Sequence, residues 1–240
     1  MKSNSSIQSS RLLVEVRNGW QSARANVAPG LVIVFIAGLL AAAFYLFPVV
    51  SDSLQGLQRL RVHWGGWFSM AASAIGAGII PGVYLILKGH ARRGWRAGVD
   101  LFYTCFVWAA SAMVIDRFYA FQDWWWGSAV TLPIVCGKML TDQLIFTPLL
   151  GLQIPALGFR FRDMNYDLFA LANALRTDWF IKVIVPMLVA CWLTWIPGTL
   201  VVYALPLSLQ IPMMVLIQCF FALEMAYASS KMNDSNEVWK

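Results

Sequence analysis

Polar and charged residues in this chain gather into short clusters, and between the clusters lie long apolar runs. A helix rises 1.5 Å per residue and needs ~20 apolar residues to cross a ~30 Å hydrocarbon core, so each long run predicts a membrane-spanning helix. The runs fall at about Leu31–Val50, Trp67–Leu87 and Gly98–Ile115, then from the aromatic belt Trp124-Trp125-Trp126 to Leu150, and at about Phe180–Tyr203 and Leu207–Ser229. The second is dense in small residues (Ala71, Ala72, Ser73, Ala74, Gly76, Gly78, Gly82) that let backbones approach closely, so it is expected among neighbouring helices, kinked by Pro81. Pro133, Pro186, Pro197 and Pro212 predict kinks in the later spans. Residues 151–178 read as a polar loop, and no internal repeat supports an inverted-repeat transporter.

Ahead of the first run, Ile7, Leu12, Leu13, Val16, Trp20, Ala23 and Val27 recur near helical spacing, opposite Arg17, Gln21 and Arg24. That pattern predicts an amphipathic helix lying in the membrane interface. A cleavable signal peptide fits poorly because the charged region before the first apolar run is too long; an organellar transit peptide stays open. The expected fold is all-α: a polytopic transmembrane helix bundle of about six spans over 29–230, an interfacial segment at 1–28 and a polar tail at 231–240.

Composition agrees. The chain is 59% hydrophobic and 12% charged, which leaves no room for a separate soluble domain beside the spans. A net charge of +6 invites a nucleic-acid reading, but the basic residues sit in short interhelical loops, so anionic lipid head groups are the expected partner and nucleic acid is not. With the N-terminus inside, Lys2, Arg11, Arg17, Arg24, Lys88, Arg92, Arg93, Arg96, Arg160, Arg162, Arg176, Lys231 and Lys240 fall on one side and only Arg59, Arg61 and Arg117 on the other. Both termini are therefore expected on the cytoplasmic side, or the matrix side in an organelle. Cys105, Cys136, Cys191 and Cys219 each lie in an apolar run and His63 and His90 in separate loops, so free thiols are expected, with no metal and no cofactor.

The informative departure from apolarity is Gly137-Lys138-Met139-Leu140-Thr141-Asp142-Gln143, followed by Pro148. A charge near the bilayer centre costs about 2.5–3.5 kcal/mol on insertion scales, so such residues face other helices or water rather than lipid. On one continuous helix Ser128, Thr131, Lys138 and Asp142 share a sector of roughly 80°, which predicts a polar stripe down the fourth span with Lys138 about 18 Å below Trp126. Glu224 falls at a similar depth in the sixth span, so Lys138 is expected between Asp142 and Glu224. That cluster reads as a neutralised structural pin, as the lining of a wet path, or as a catalytic group. Asp116-Arg117 reads as an interfacial ion pair, and Lys182 as a side chain that snorkels to the inner interface.

The Lys138-Met139, Asp142-Gln143 and Pro148 pattern resembles the hallmark of the Mpv-seventeen/peroxisomal membrane protein family. Ile115-Asp116-Arg117-Phe118 looks like that family's Leu-Asp-Arg-Phe segment, and Trp195, Tyr203 and Pro206 fall close to the spacing of its Trp-Pro…Asn-Phe…Val-Pro block. The resemblance covers approximately residues 66–229. Gly76-Ala77-Gly78 stands where the family has Gly-Asp…Gln, and Gln210 where it has arginine, which fits a distant, bacterial relative better than a close eukaryotic member. The resemblance implies a small membrane protein of the mitochondrial inner or peroxisomal membrane type, some of whose relatives form weakly selective channels.

The expected function is a channel or passive conduit for small solutes, with Ser128, Thr131, Lys138, Asp142, Gln143 and Glu224 as its polar cluster. A non-catalytic membrane scaffold or assembly partner is the alternative. No HExxH, Gly-rich phosphate loop or GxSxG elbow is present, so an enzyme is not expected. The expected location is a bacterial cytoplasmic membrane, with a mitochondrial inner or peroxisomal membrane as the alternative; an oligomer stays open.

Overall fold

The computed structural model describes residues 31–32, 35–89, 91–92, 94–175, 179–180 and 184–237, with the side chains of 58, 186, 189–190, 193, 208 and 224–237 outside that description. The helix expected at 1–28 lies outside the described residues. Among the described residues all regular structure is helical. A backbone surrounded by lipid has no water to bond, so it satisfies its polar groups within the segment.

Helices α1 (Phe35–Leu46) and α2 (Pro48–Trp64) meet at 108°. The corner is set locally: Pro48 stands in the first turn of α2, and Phe47 before it is extended, as a residue preceding proline prefers. The first apolar run therefore does not continue as a straight helix to Val50, and the residues between the first two runs form a helix of their own. α3 (Gly66–Leu87), α4 (Trp95–Trp126) and α5 (Leu132–Asp163) are each long and apolar enough to cross a membrane, and α1 with α2 makes a fourth if the bent pair is one span. α6 (Leu168–Leu175), α7 (Val185–Tyr203) and α8 (Leu207–Glu237) complete the described chain.

Two boundaries correct the sequence reading. The belt Trp124-Trp125-Trp126 closes α4 instead of opening the next span, because Gly127 at φ 90° ends the helix and Pro133 starts α5 afresh. The stretch expected as a polar loop at 151–178 is largely helical, with α5 running on to Asp163 and α6 beyond it.

α3 and α5 each contain a π-helical stretch, at Ala74–Ile79 and Asp142–Gly151. Proline is near both: Pro81 follows the first and Pro148 lies inside the second. A proline removes one ladder hydrogen bond and its ring crowds the carbonyl four residues back; widening the turn relieves that crowding. Leu152 N accordingly donates five residues back, to Thr147 O, at 2.9 Å.

α8 is the central rod, with Leu209, Gln210, Ile211, Met213, Met214, Ile217 and Gln218 all buried. α3 turns Ser69, Ser73, Gly76, Ala77 and Gly78 inward and leaves Ile75, Ile79 and Ile80 exposed, so the small-residue run packs on one face only. Exposed apolar side chains such as Phe102, Phe106, Leu144 and Ile145 continue that outer surface, the form a lipid-solvated bundle takes.

Polar contacts tie the two ends. At one, Arg61 of α2 pairs with buried Asp116 of α4, which also accepts from Ser69 Oγ at 3.0 Å. This corrects the expected Asp116-Arg117 pair: neighbours on a helix point about 100° apart, and Arg117 is exposed while Asp116 faces α2 and α3. At the other end, Arg92 donates to Asn165 Oδ1 and Arg162 O and pairs with Asp100, while Tyr166 donates to Asp100 Oδ1 at 2.7 Å. Burial and that carboxylate push the Tyr166 phenol up to about 12.

The closest backbone approach makes a prediction. A Cβ on Gly78 would meet the Cys105 backbone at 2.9 Å, whereas one on Gly56 of α2 would meet nothing within 4 Å. Gly78→Ala should lower stability by about 1–3 kcal/mol through overpacking, and Gly56→Ala should raise it by about 0.5–1 kcal/mol through helix propensity. Thermal melts of the two variants in the same detergent check this: Gly78→Ala melting at or above the parent would refute the close packing.

Candidate functional site

The site is assembled where the end of α4, the start of α5 and the end of α7 meet. The turn through Gly127 folds α5 back along α4, and the approach is close: a Cβ on Gly137 would lie 2.7 Å from the Trp126 ring. Trp126 Nε1 donates to Thr141 Oγ1 at 3.2 Å across the same contact.

This hairpin decides the partner of Lys138. Its ammonium is 3.0 Å from Asp123 Oδ1, with the lysine side chain 4% exposed and the aspartate 22%. Among the described residues the carboxylate that Lys138 pairs with is therefore Asp123 of α4, not the expected Asp142. The physical reason is the helix break. With α5 starting at Leu132, Lys138 lies only about 9 Å from the start of its helix, and Asp123 about 4.5 Å from the tryptophan end of α4. Ser128 and Thr131 are exposed in the connection between the helices, so the continuous polar stripe does not form. Glu224 is on α8, but its side chain lies outside the described residues.

Asp142 is one turn beyond Lys138 and is buried in a different set of contacts. Tyr203 OH donates to Asp142 Oδ2 at 2.6 Å, Thr147 Oγ1 to Oδ1 at 3.1 Å and Gln143 Nε2 to Oδ1 at 3.3 Å. The Thr147 bond depends on the π-helical stretch: five residues along an α-helix a side chain is rotated by roughly 140°, whereas an i to i+5 ladder stacks it over its partner. Among the described residues no lysine or arginine is within 4.0 Å of Asp142.

Gln122, fully buried on α4, joins the two groups by donating to Tyr203 OH at 2.8 Å and to Lys138 O at 3.2 Å. The Tyr119 ring packs against the Tyr203 ring with centroids 5.1 Å apart. In an i to i+5 ladder the Gln143 carbonyl faces Pro148, which has no N–H, and Trp192 Nε1 donates to it from α7 at 3.0 Å. Asp142, Tyr203, Gln122 and Lys138 O thus form one hydrogen-bonded layer through three helices.

Beside this layer is a cavity of ≈ 90 Å³. Asp142, Gln143 and Thr147 border it from α5, Thr199 from α7 and Gln218 from α8, and most of the remaining wall is aromatic or aliphatic. Gln218 Oε1 is bonded by Ser73 Oγ at 2.8 Å, and Gln143 Oε1 is buried with no partner. Lys138 does not border it among the described residues. The space suits a few waters or a very small solute, on the order of 30 Å³ per water.

The sequence singled out Lys138, Asp142 and Gln143 and missed Asp123, Gln122, Thr147 and the bond from Tyr203. Asp123 was hidden by its place beside the tryptophans, where an acid reads as interfacial. The spacing of Tyr203 enters the sequence reading only as part of a motif. Comparison with protein-family models, with curated proteins and with solved structures finds no match for this chain.

The two charged groups separate in a testable way. Asp123→Asn strands a nearly buried ammonium and should cost about 3–5 kcal/mol. Lys138→Met leaves a carboxylate that is 22% exposed and should cost clearly less, and the double variant should recover most of the loss. Unfolding midpoints in detergent decide it; equal losses for the two single variants would show that Lys138 is hydrated rather than held by Asp123.

Proposed function

We propose that this protein is an integral membrane protein that acts as a passive conduit for small solutes, closed in this structure by the Asp142–Tyr203–Gln122 layer. The observation that carries the reading is the cavity ending on Asp142 and Gln143, since an intramembrane ionisable group beside a space is a functional site by default. Its wall includes Asp142, Gln143 and Gln218, while Lys138 is occupied by Asp123. The conduit is therefore expected to admit neutral solutes and cations ahead of anions.

The reading includes six spans, adding α7 and α8 to the helices named above, with both termini on the side of the Arg92 and Arg162 cluster. It includes kinship with the Mpv-seventeen/peroxisomal membrane protein family; of its hallmark positions, Asp142 and the Lys138 carbonyl belong to this layer and Gln143 donates to Asp142. It includes a non-catalytic role, anionic head groups as partners of the basic loops, and a bacterial cytoplasmic membrane as the location. The scaffold reading draws on a specific observation too: Lys138 and Asp142 are hydrogen-bonded within the protein, which suits a pin that fixes helix register.

Two measurements test the proposal. Cysteines introduced in the 88–94 and 164–167 connections should be labelled from the same side of the membrane, and labelling from opposite sides would reject the six-span topology. Tyr203→Phe removes the hydroxyl that bridges Asp142 and Gln122, so solute efflux from proteoliposomes should rise several-fold over the parent. Absence of protein-dependent flux in both the parent and Tyr203→Phe would sink the conduit and leave the scaffold.

A further inference from the structure

The wall of the cavity specifies more than size. Its charged group is the Asp142 carboxylate, which among the described residues has no cationic partner within 4.0 Å and is held by three neutral donors. A buried carboxylate is expensive without a counter-charge. Next to it Gln143 Oε1 is a buried acceptor that receives nothing. Around these two acceptors stand the rings of Trp108, Tyr119, Phe146, Trp195 and Phe221, contributed by α4, α5, α7 and α8. Aromatic faces attract a cation through their negative quadrupole, most strongly where water is excluded.

A carboxylate, a spare amide oxygen and an aromatic surround fit one chemistry. An anion would meet Asp142 with like sign. A bare metal ion would leave the rings unused and find too few oxygens, since hard cations take six or more. A neutral alcohol would leave the charge uncompensated. We propose that this cavity is a binding site for a small primary alkylammonium, with the ammonium hydrogen-bonded to Asp142 and Gln143 Oε1 and the alkyl group against the rings. The site takes a cation of only a few non-hydrogen atoms, because ≈ 90 Å³ is about the share of three waters. This assignment rests on the conduit reading for its biological sense, but binding itself does not depend on transport.

The test uses the full-length protein in detergent with three additives at equal concentration: ethylammonium chloride, ethanol and sodium chloride. Ethanol matches the ethylammonium body without the charge, and sodium supplies charge without N–H donors or an apolar body. Ethylammonium alone should raise the unfolding midpoint and change the fluorescence of the tryptophans at the cavity, with saturation. Asp142→Asn should abolish both effects, and Trp108→Leu in the aromatic part of the wall should weaken the apparent affinity several-fold. Should Asp142→Asn fail to fold, the comparison among the three additives on the parent and Trp108→Leu decides alone. Equal responses to ethylammonium and sodium, equal responses to ethylammonium and ethanol, or an undiminished response in Asp142→Asn would overturn the assignment. Proteoliposome flux separates the two claims: saturable ethylammonium binding without flux rejects the conduit and keeps the site, whereas flux without ethylammonium binding rejects the site and keeps the conduit.

Discussion

A polar group buried among helices as apolar as these must find its partner inside the protein, and the hydrogen bond from Tyr203 to Asp142 is where that constraint is met most sharply. At 2.6 Å it joins the last residue of α7 to the π-helical stretch of α5. The rest of the layer follows from it. The Tyr203 oxygen, having donated, accepts from Gln122, which brings in α4; Gln122 then reaches the backbone of Lys138. The other carboxylate oxygen needs its own donors, and the widened turn of α5 supplies Thr147. In water each bond would exchange with solvent and contribute little; in a low-dielectric interior the members polarise one another, and an unpaired member is costly.

Lys138 and Asp142 sit one turn apart on the same helix yet have different partners, and this sets the electrostatic character of the site. The lysine is neutralised by Asp123 beside the tryptophan end of α4, where the aspartate keeps some contact with solvent. Asp142 keeps its negative character for the cavity. The close approach of Gly137 to Trp126 is therefore more than packing: it fixes the register that puts Lys138 opposite Asp123.

The helical bundle was legible because its signal is repeated: long apolar runs, charges confined between them, small residues where backbones approach. Lys138 and Asp142 were legible as inward-facing because no other environment tolerates them. Their partners were not, and the reason is the single break at Gly127. An uninterrupted fourth helix gives a stripe from Ser128 to Asp142 and a deep lysine; ending α4 at Trp126 moves Ser128 and Thr131 into an exposed connection and lifts Lys138 towards the helix start. A glycine between a tryptophan run and a proline five residues before the Lys-Met pair is a turn signal that the apolar run masked. The bond from Thr147 was invisible for another reason, because 3.6-residue periodicity puts it on the wrong face, and the presence of Pro148 does not reveal how the helix accommodates it.

The same structure separates what is firmly held from what can yield. At one end Arg92 gathers Asn165, Arg162 and Asp100 around a turn in which Asn165 and Tyr166 both have positive φ, a conformation non-glycine residues keep only when neighbours enforce it. At the other end Arg61 locks α2 onto α4, and the Gly137–Trp126 contact leaves no space for sliding. Between them lies the π-helical stretch of α5, where the Gln143 carbonyl relies on a tryptophan from another helix and the cavity removes packing from one side. A bundle fastened at both ends and loosely laddered in the middle concentrates any rearrangement in α5 against α7. Those are the two helices that carry Asp142 and Tyr203, so the bond on which the layer depends is also the one that such a rearrangement would strain.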